Sequence, residues 1–244
     1  MLVMFLSVAL LGGCASRSWN GKVRMWGTLR GVLHDGDTTS KVRLSEATNP
    51  HSVGIGAPEG LDGEIVVLDG ETWVAEAGEH DEAVTRHPAP PDTKATFLAM
   101  ATVPRWVELR TDGRLSLDGL AKEVRAAAER NGLDTKAAFP FVVEGRFSTI
   151  KLHILNGRCP FAQPRATDYA AHEPVRVQAD DARGVLVGFY YDGKPGVLTH
   201  AGKTLHVHAI LKDGQHTMGH VEAVSVEAGA VIRVPAIHRR RVRS

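Results

Sequence analysis

Short alternations of apolar and polar residues, broken every eight to twelve positions by glycine, proline or aspartate, run through most of the chain and predict strands. The clearest case lies within "GAPEGLDGEIVVLDGETWVAEA", where Glu64 to Leu68 and Thr72 to Ala75 flank Asp69-Gly70, a strong hairpin signal. "TFLAMATVPRWVELR" predicts a strand pair, or a strand with an irregular partner. "FPFVVEGRFSTIKLHIL" predicts strand, turn, strand. "GVLVGFYY", "KTLHVHAIL", "HTMGHVEAVSVEA" and "AVIRVPA" are four more β-rich runs divided by turns. Only "SLDGLAKEVRAAAERNG" has a helical period: Ser116 or Asp118 caps it, Leu117, Leu120, Val124 and Ala128 share a face, and Gly132 suits the C-terminal left-handed position. In "KVRMWGTLRGVLHDGDTTSKVRL" the pattern does not separate helix from strand. Residues 76–94, acidic and then proline-rich, predict an exposed loop.

These elements predict an α/β chain of the α+β kind with two packed β-sheet regions. A mixed N-terminal sheet with one main helix occupies residues 24–156, and a smaller antiparallel C-terminal sheet or barrel occupies 157–235. Residues 14–23 read as a linker and 236–244 as a basic, solvated tail able to lie against anionic headgroups. The 244 residues, 43% apolar, suffice for a sizeable core, no period repeats, and a net charge of +1 gives no sign of a nucleic-acid partner.

The two cysteines are Cys14 and Cys159. "LSVALLGGCAS" is too short to span a bilayer and resembles a bacterial lipoprotein signal. Residues 1–13 would be removed and Cys14 would carry the lipid, although Met1 to Leu6 lack the usual basic residues. The expected location is the cell envelope, on the periplasmic side of the outer membrane because Ala15 follows the cysteine, with the membrane reached through the anchor. Cys159 is then left without an intrachain partner.

Candidate chemistry concentrates in "HVHAILKDGQHTMGHV", which holds four of the 12 histidines. Strand alternation puts His206 and His208 on one face, roughly 7 Å apart. A hairpin through "KDGQ" returns either His216 or His220 beside them; His220 opens an alternating strand, whereas His216 lies near the turn. Three neutral imidazoles with a position left open are the donor set of a catalytic zinc ion, or of another divalent first-row metal. A wet, histidine-rich hairpin is the competing reading. Glu64 is the second candidate, because period-2 alternation aligns it with Val66 and Leu68. A carboxylate on a buried face requires a partner or a proton, unless the position is an edge that reaches water.

"VGIGAPEGLDGEIVVLDG", "VVEGRFSTIKLHIL", "GVLVGFYY" and "HVHAILKDGQHTMGHVEAV" occur in the order found in bacterial α-acetolactate decarboxylases, and the chain resembles that family over about residues 24–230. The resemblance implies a dimeric zinc lyase that converts 2-acetolactate, a β-keto acid, to acetoin and carbon dioxide. It places His206, His208 and His220 on the metal and Glu64 in the active site. It also shows departures. His153 stands where the family has an arginine, with Lys151 two residues earlier as a substitute cation, and Ala57 replaces a threonine. The 208–220 interval is a residue longer, and "RVPAIHRRRVRS" carries no glutamate like that of the family's C-terminal extension. His153 is accordingly a catalytic candidate. A catalytically altered member serving as a metal- or small-molecule-binding envelope lipoprotein is the alternative. A cupin-like oxygenase, whose motif also begins with His-x-His, is disfavoured because no glutamate follows His208 at the expected distance.

Overall fold

A computed structural model describes residues 18–158, 160 and 173–237. The leader, Cys14, Cys159, most of the 157–175 loop and the basic tail from 238 onward lie outside the described residues.

The predicted hairpin forms as β4 (Glu64–Leu68) and β5 (Glu71–Ala77), with Asp69 and Gly70 both at positive φ in the turn. Around it the first sheet is built from β1 (Val23–Trp26), β2 (Val42–Arg43), β3 (Ser52–Pro58), β6 (Ala83–Arg86) and β7 (Lys94–Thr102). They run in the order β1-β7-β3-β4-β5-β6, with β2 also on β7. Every pairing is antiparallel, so the sheet is not mixed. Strands β3 to β6 follow one another through short connections, which cannot return a chain in parallel. The segment expected as a loop after residue 76 contributes β6, whose Val84 lies opposite Glu76.

The second sheet also has seven strands and is therefore no smaller than the first. It comprises β8 (Trp106–Arg110), β9 (Leu115–Ser116), β10 (Phe139–Ile154), β11 (Val175–Tyr190), β12 (Leu205–Leu211), β13 (Met218–Val226) and β14 (Val231–Pro235). Three of these precede residue 157, so the boundary between the sheets falls after β7 and not in that loop. β7 and β8, expected as a pair, thus belong to different sheets. The expected turn inside residues 139–155 is absent as well. β10 runs unbroken, paired with β11 from Phe139–Tyr190 to Ile154–Val175. Gly145, which suggested the turn, serves a close approach instead: a Cβ there would meet the Ala230 methyl at 2.7 Å. On its other edge β10 pairs first with β14 and then with β13. Because β12 joins β11 to β13, β10-β11-β12-β13 close on themselves as a small barrel.

The stretch 22–44, whose pattern does not separate helix from strand, contains α1 (Leu29–Leu33) between β1 and β2 and leads into α2 (Leu44–Ala47). The main helix α3 (Leu117–Arg130) is capped by Ser116, whose side chain accepts from the Gly119 N–H. Gly132 takes φ +76° just beyond its end. The helix packs on the second sheet and not the first, because it connects β9 to β10, and it buries Leu120, Val124, Ala127 and Ala128.

One core cluster joins both sheets, with Val53, Ile55 and Val66 from the first and Phe141, Leu186 and Val207 from the second. A second cluster under α2 holds Ile65, Val67 and Val74 on the outer face of the first sheet. β4 is thus covered on both sides, which explains its continuous apolar run, and Glu64 shares the inward face with Val66. The linker residue Trp19 is buried, and its backbone N–H donates to the Ala236 carbonyl at 2.8 Å.

Candidate metal centre

The inward face of β4 meets the barrel at the ends of β10, β12 and β13. His206 and His208 project from β12, and His220 lies directly opposite His208 in the β12–β13 ladder. Their ring centroids form a near-equilateral triangle of 5.2, 5.0 and 5.3 Å. Each offers one nitrogen within 4.8 Å of the others, and all three rings are buried.

The hydrogen bonds orient these rings. His206 Nδ1 donates to the Leu198 carbonyl at 2.8 Å, and His208 Nδ1 donates to the Ile65 carbonyl at 3.0 Å. A carbonyl only accepts, so both rings carry their hydrogen on Nδ1 and keep the Nε2 lone pair, the arrangement of a metal ligand. Phe97 stacks on His206 at 5.6 Å and supports it from the side. Burial holds His206 and His220 well below the usual histidine range and takes His208 down to about 3. Three neutral imidazoles therefore face one hollow.

Glu64 faces the same hollow. Its Oε2 lies 3.3 Å from His208 Nε2 and its Oε1 lies 3.8 Å from His153 Nε2. The side chain is 3% exposed. Burial pushes its carboxyl well above the usual range, against a lesser opposing pull from the Leu155 N–H. Oε1 is buried without a hydrogen-bond partner among the described residues. The lone pair of His208 thus confronts a carboxyl oxygen, a conflict that only a proton or a cation between them resolves. The donor set and this confrontation both fit a divalent metal.

His153 closes one side, with its ring 4.7 Å from that of His220. Its Nδ1 lies 3.0 Å from Glu222 Oε1, and burial brings its pKa down to about 4 although Glu222 pulls upward. The five predicted residues Glu64, His153, His206, His208 and His220 therefore converge. His216 does not join them; it is exposed beside Trp73. Lys151 remains on the outer surface.

Other residues complete the site without a signal in the strand pattern. His200, in the β11–β12 connection, has its ring 5.8 Å from both His206 and His220. Histidine density six residues before His206 is its only sequence cue. Leu29, Val32 and Leu33 of α1 form an apolar cover, joined by Ala57, Leu61, Phe97 and Leu155. The backbone of α1 is tied to that same connection by Leu29 N–H to the Val197 carbonyl and Arg30 N–H to the Gly196 carbonyl. The free space among these side chains is about 30 Å³.

A family profile described as alpha-acetolactate decarboxylase matches residues 27–243. The chain belongs to the α-acetolactate decarboxylase family. An α-acetolactate decarboxylase from Streptococcus thermophilus is 25% identical over 208 residues, covering 84% of this chain and 79% of that protein. The crystal structure of α-acetolactate decarboxylase from Bacillus subtilis strain 168 aligns with a TM-score of 0.68 at 20% identity, over 88% of this chain and 86% of that one. A Staphylococcus aureus protein of unknown function, described as similar to α-acetolactate decarboxylase, aligns at 0.60 and 20% identity with the same coverage. At these identities the structural likeness establishes the two-sheet fold of the family.

Proposed function

We propose that this family member is a metal-dependent carboxy-lyase that converts 2-acetolactate to acetoin and carbon dioxide. His206, His208 and His220 would hold one divalent ion, zinc suiting the three imidazoles best. A bound divalent ion supplies Lewis-acid stabilisation of the negative charge that develops on oxygen as the carbon–carboxylate bond breaks. The observation that carries the reading is the convergence of three buried imidazole nitrogens within 4.8 Å of one another, beside a carboxyl group whose Oε1 has no hydrogen-bond partner among the described residues.

The reaction also needs a proton at the carbon that loses carbon dioxide. Glu64 is placed to hold one, since burial favours its protonated form. It lies on one side of the hollow, so its delivery of that proton would set the configuration of the product. The apolar cover from α1, Leu61 and Phe97 excludes water from the proton's path. The α1 residues Leu29, Val32 and Leu33 and His200 of the β11–β12 connection line the approach that a substrate would take.

Acetoin release from 2-acetolactate, measured with and without a chelator, tests the proposal. Chelator-sensitive release supports it. Stoichiometric zinc without acetoin would instead support the reading of a family member that binds metal and a small molecule without decarboxylating. His153 in the place of the family's arginine favours that alternative. We also propose attachment to the envelope through Cys14, on the strength of the "LLGGC" sequence; mass spectrometry of the cell-derived protein checks for the lipid.

A further inference from the structure

The hollow has a polar and an apolar lining. Glu64 and the histidines form the first, and Leu29, Val32, Leu61 and Phe97 belong to the second. Leu61 is the unusual member. It ends the turn Glu59–Leu61 that leads toward Glu64, its side chain is buried, and its φ is +61°. A left-handed backbone presses the Cβ of an L-residue against a neighbouring carbonyl, so such a position favours glycine. Gly60 and Gly63, at φ +81° and +140°, meet the same demand on either side without a Cβ. The turn itself therefore does not call for a leucine, and what position 61 adds is an isobutyl group in the wall of the hollow. Backbone strain of this kind clusters at active sites and ligand clamps.

The main chain fastens this apolar wall. Gly157 N–H, just beyond β10, donates to the Leu61 carbonyl at 3.0 Å, and Gly60 N–H donates to the Thr38 carbonyl at 2.9 Å. Thr38 lies in the loop that follows α1, so the turn and the helix are tied together. The first turn of α1 is bonded in its own right to Gly196 and Val197. Along α1, Leu29, Val32 and Leu33 follow helical spacing and line the hollow together. Val32 is the middle one and is buried. A close-packed wall held by its backbone discriminates by the volume of its side chains.

We propose that Leu61 and Val32 form an alkyl subsite that limits the carbon chain of the ligand and so determines specificity among hydroxy-ketones and the β-keto acids that yield them. The polar lining takes the oxygens of such a ligand, and these two side chains meet its alkyl end. The choice of a hydroxy-ketone rests on the decarboxylase reading; the length limit rests on Leu61 and Val32.

NMR titration of the full chain supplied with zinc compares acetoin with 3-hydroxy-2-hexanone, which keeps both oxygens and has a propyl group in place of one methyl. The wild type should bind acetoin more tightly. Leu61→Gly, which accepts the left-handed backbone, and Val32→Ala should each shift the affinity ratio toward the longer ketone by about tenfold, the low end of what one methylene commands in an apolar pocket. Val32→Leu should shift it the other way. Leu133→Ala truncates the same core at a residue that does not line the hollow, and it should leave the ratio unchanged. Equal wild-type affinities, a ratio unmoved in both Leu61→Gly and Val32→Ala, or an equal shift in Leu133→Ala overturns the subsite. So does a wild type that binds neither ketone. If 2-acetolactate releases no acetoin while the ratio moves as expected, the decarboxylase reading falls and the subsite stands.

Discussion

His208 and Glu64 face each other across the two sheets, with Nε2 3.3 Å from Oε2. β4 contributes to this relationship twice, since it presents the carboxyl group and, through the Ile65 carbonyl, fixes which nitrogen of His208 faces it. The first sheet thus builds the site as much as the barrel does, and the predictions below act on either side of that junction.

His206→Ala should abolish stoichiometric zinc. Two imidazoles remain, and a site with one of its three ligands removed should retain under about a tenth of the metal after gel filtration. Elemental analysis of purified protein reads the result, and full zinc occupancy would show that the ligands have been misassigned.

Glu64→Gln should separate metal binding from proton delivery. The amide keeps the shape of the side chain and cannot supply a proton, so kcat is expected to fall by about 10²- to 10⁴-fold with His206, His208 and His220 still able to hold zinc. Single-turnover acetoin release and metal content, measured together, check both halves.

Metal-free protein should lose stability as pH falls below neutrality. His208 is depressed to about 3 and His153 to about 4, and His206 and His220 lie below the ordinary 6.5. Each of these rings stays neutral when folded while the unfolded chain takes up its proton near 6.5. Their contribution is therefore complete above that pH and declines as pH falls toward the folded values. The slope is about 1.4 kcal/mol per pH unit for each proton bound only by the unfolded chain. Glu64, raised on folding, works in the opposite sense: its contribution is present below 4.5 and is lost as pH rises through the folded value. Urea midpoints in chelator between pH 5 and 8 should fall on the acid side, and Glu64→Gln should be the more stable protein at the alkaline end.

Gly63→Ala should damage both stability and the site. Gly63 sits at φ +140°, and a Cβ there would meet the Ala75 carbonyl at 2.0 Å. The strain is worth about 1–3 kcal/mol, and any backbone adjustment displaces the neighbouring Glu64. Thermal unfolding and acetoin turnover should both suffer; a variant with wild-type turnover would show that the placement of Glu64 tolerates movement.

What was legible in the sequence was local. The Asp69-Gly70 hairpin, helix α3 and the ladder that sets His208 opposite His220 depend on neighbours within a few residues, and alternation alone puts Glu64 with Val66. The misread parts depend on distant partners. β10 looked like two strands because Gly145 resembles a turn residue until Ala230 is seen packed against it. β7 and β8 looked paired because only the three-dimensional fold divides them between sheets. Glu222 carries no signal in the sequence, since it sits in a β-bulge, a mismatch in count between two strands that neither strand reveals alone. His200 lies in a connection with no periodicity, and the apolar residues of α1 belong to a helix too short to leave a pattern.

The bond between Trp19 and Ala236 also bears on how the domain can be handled. Trp19 and Ala236 lie near the two ends of the described chain and are neighbours, so a short splice could join the chain there while a new opening is cut in an exposed turn elsewhere. A circularly permuted protein would then inherit both sheets and the hollow between them intact.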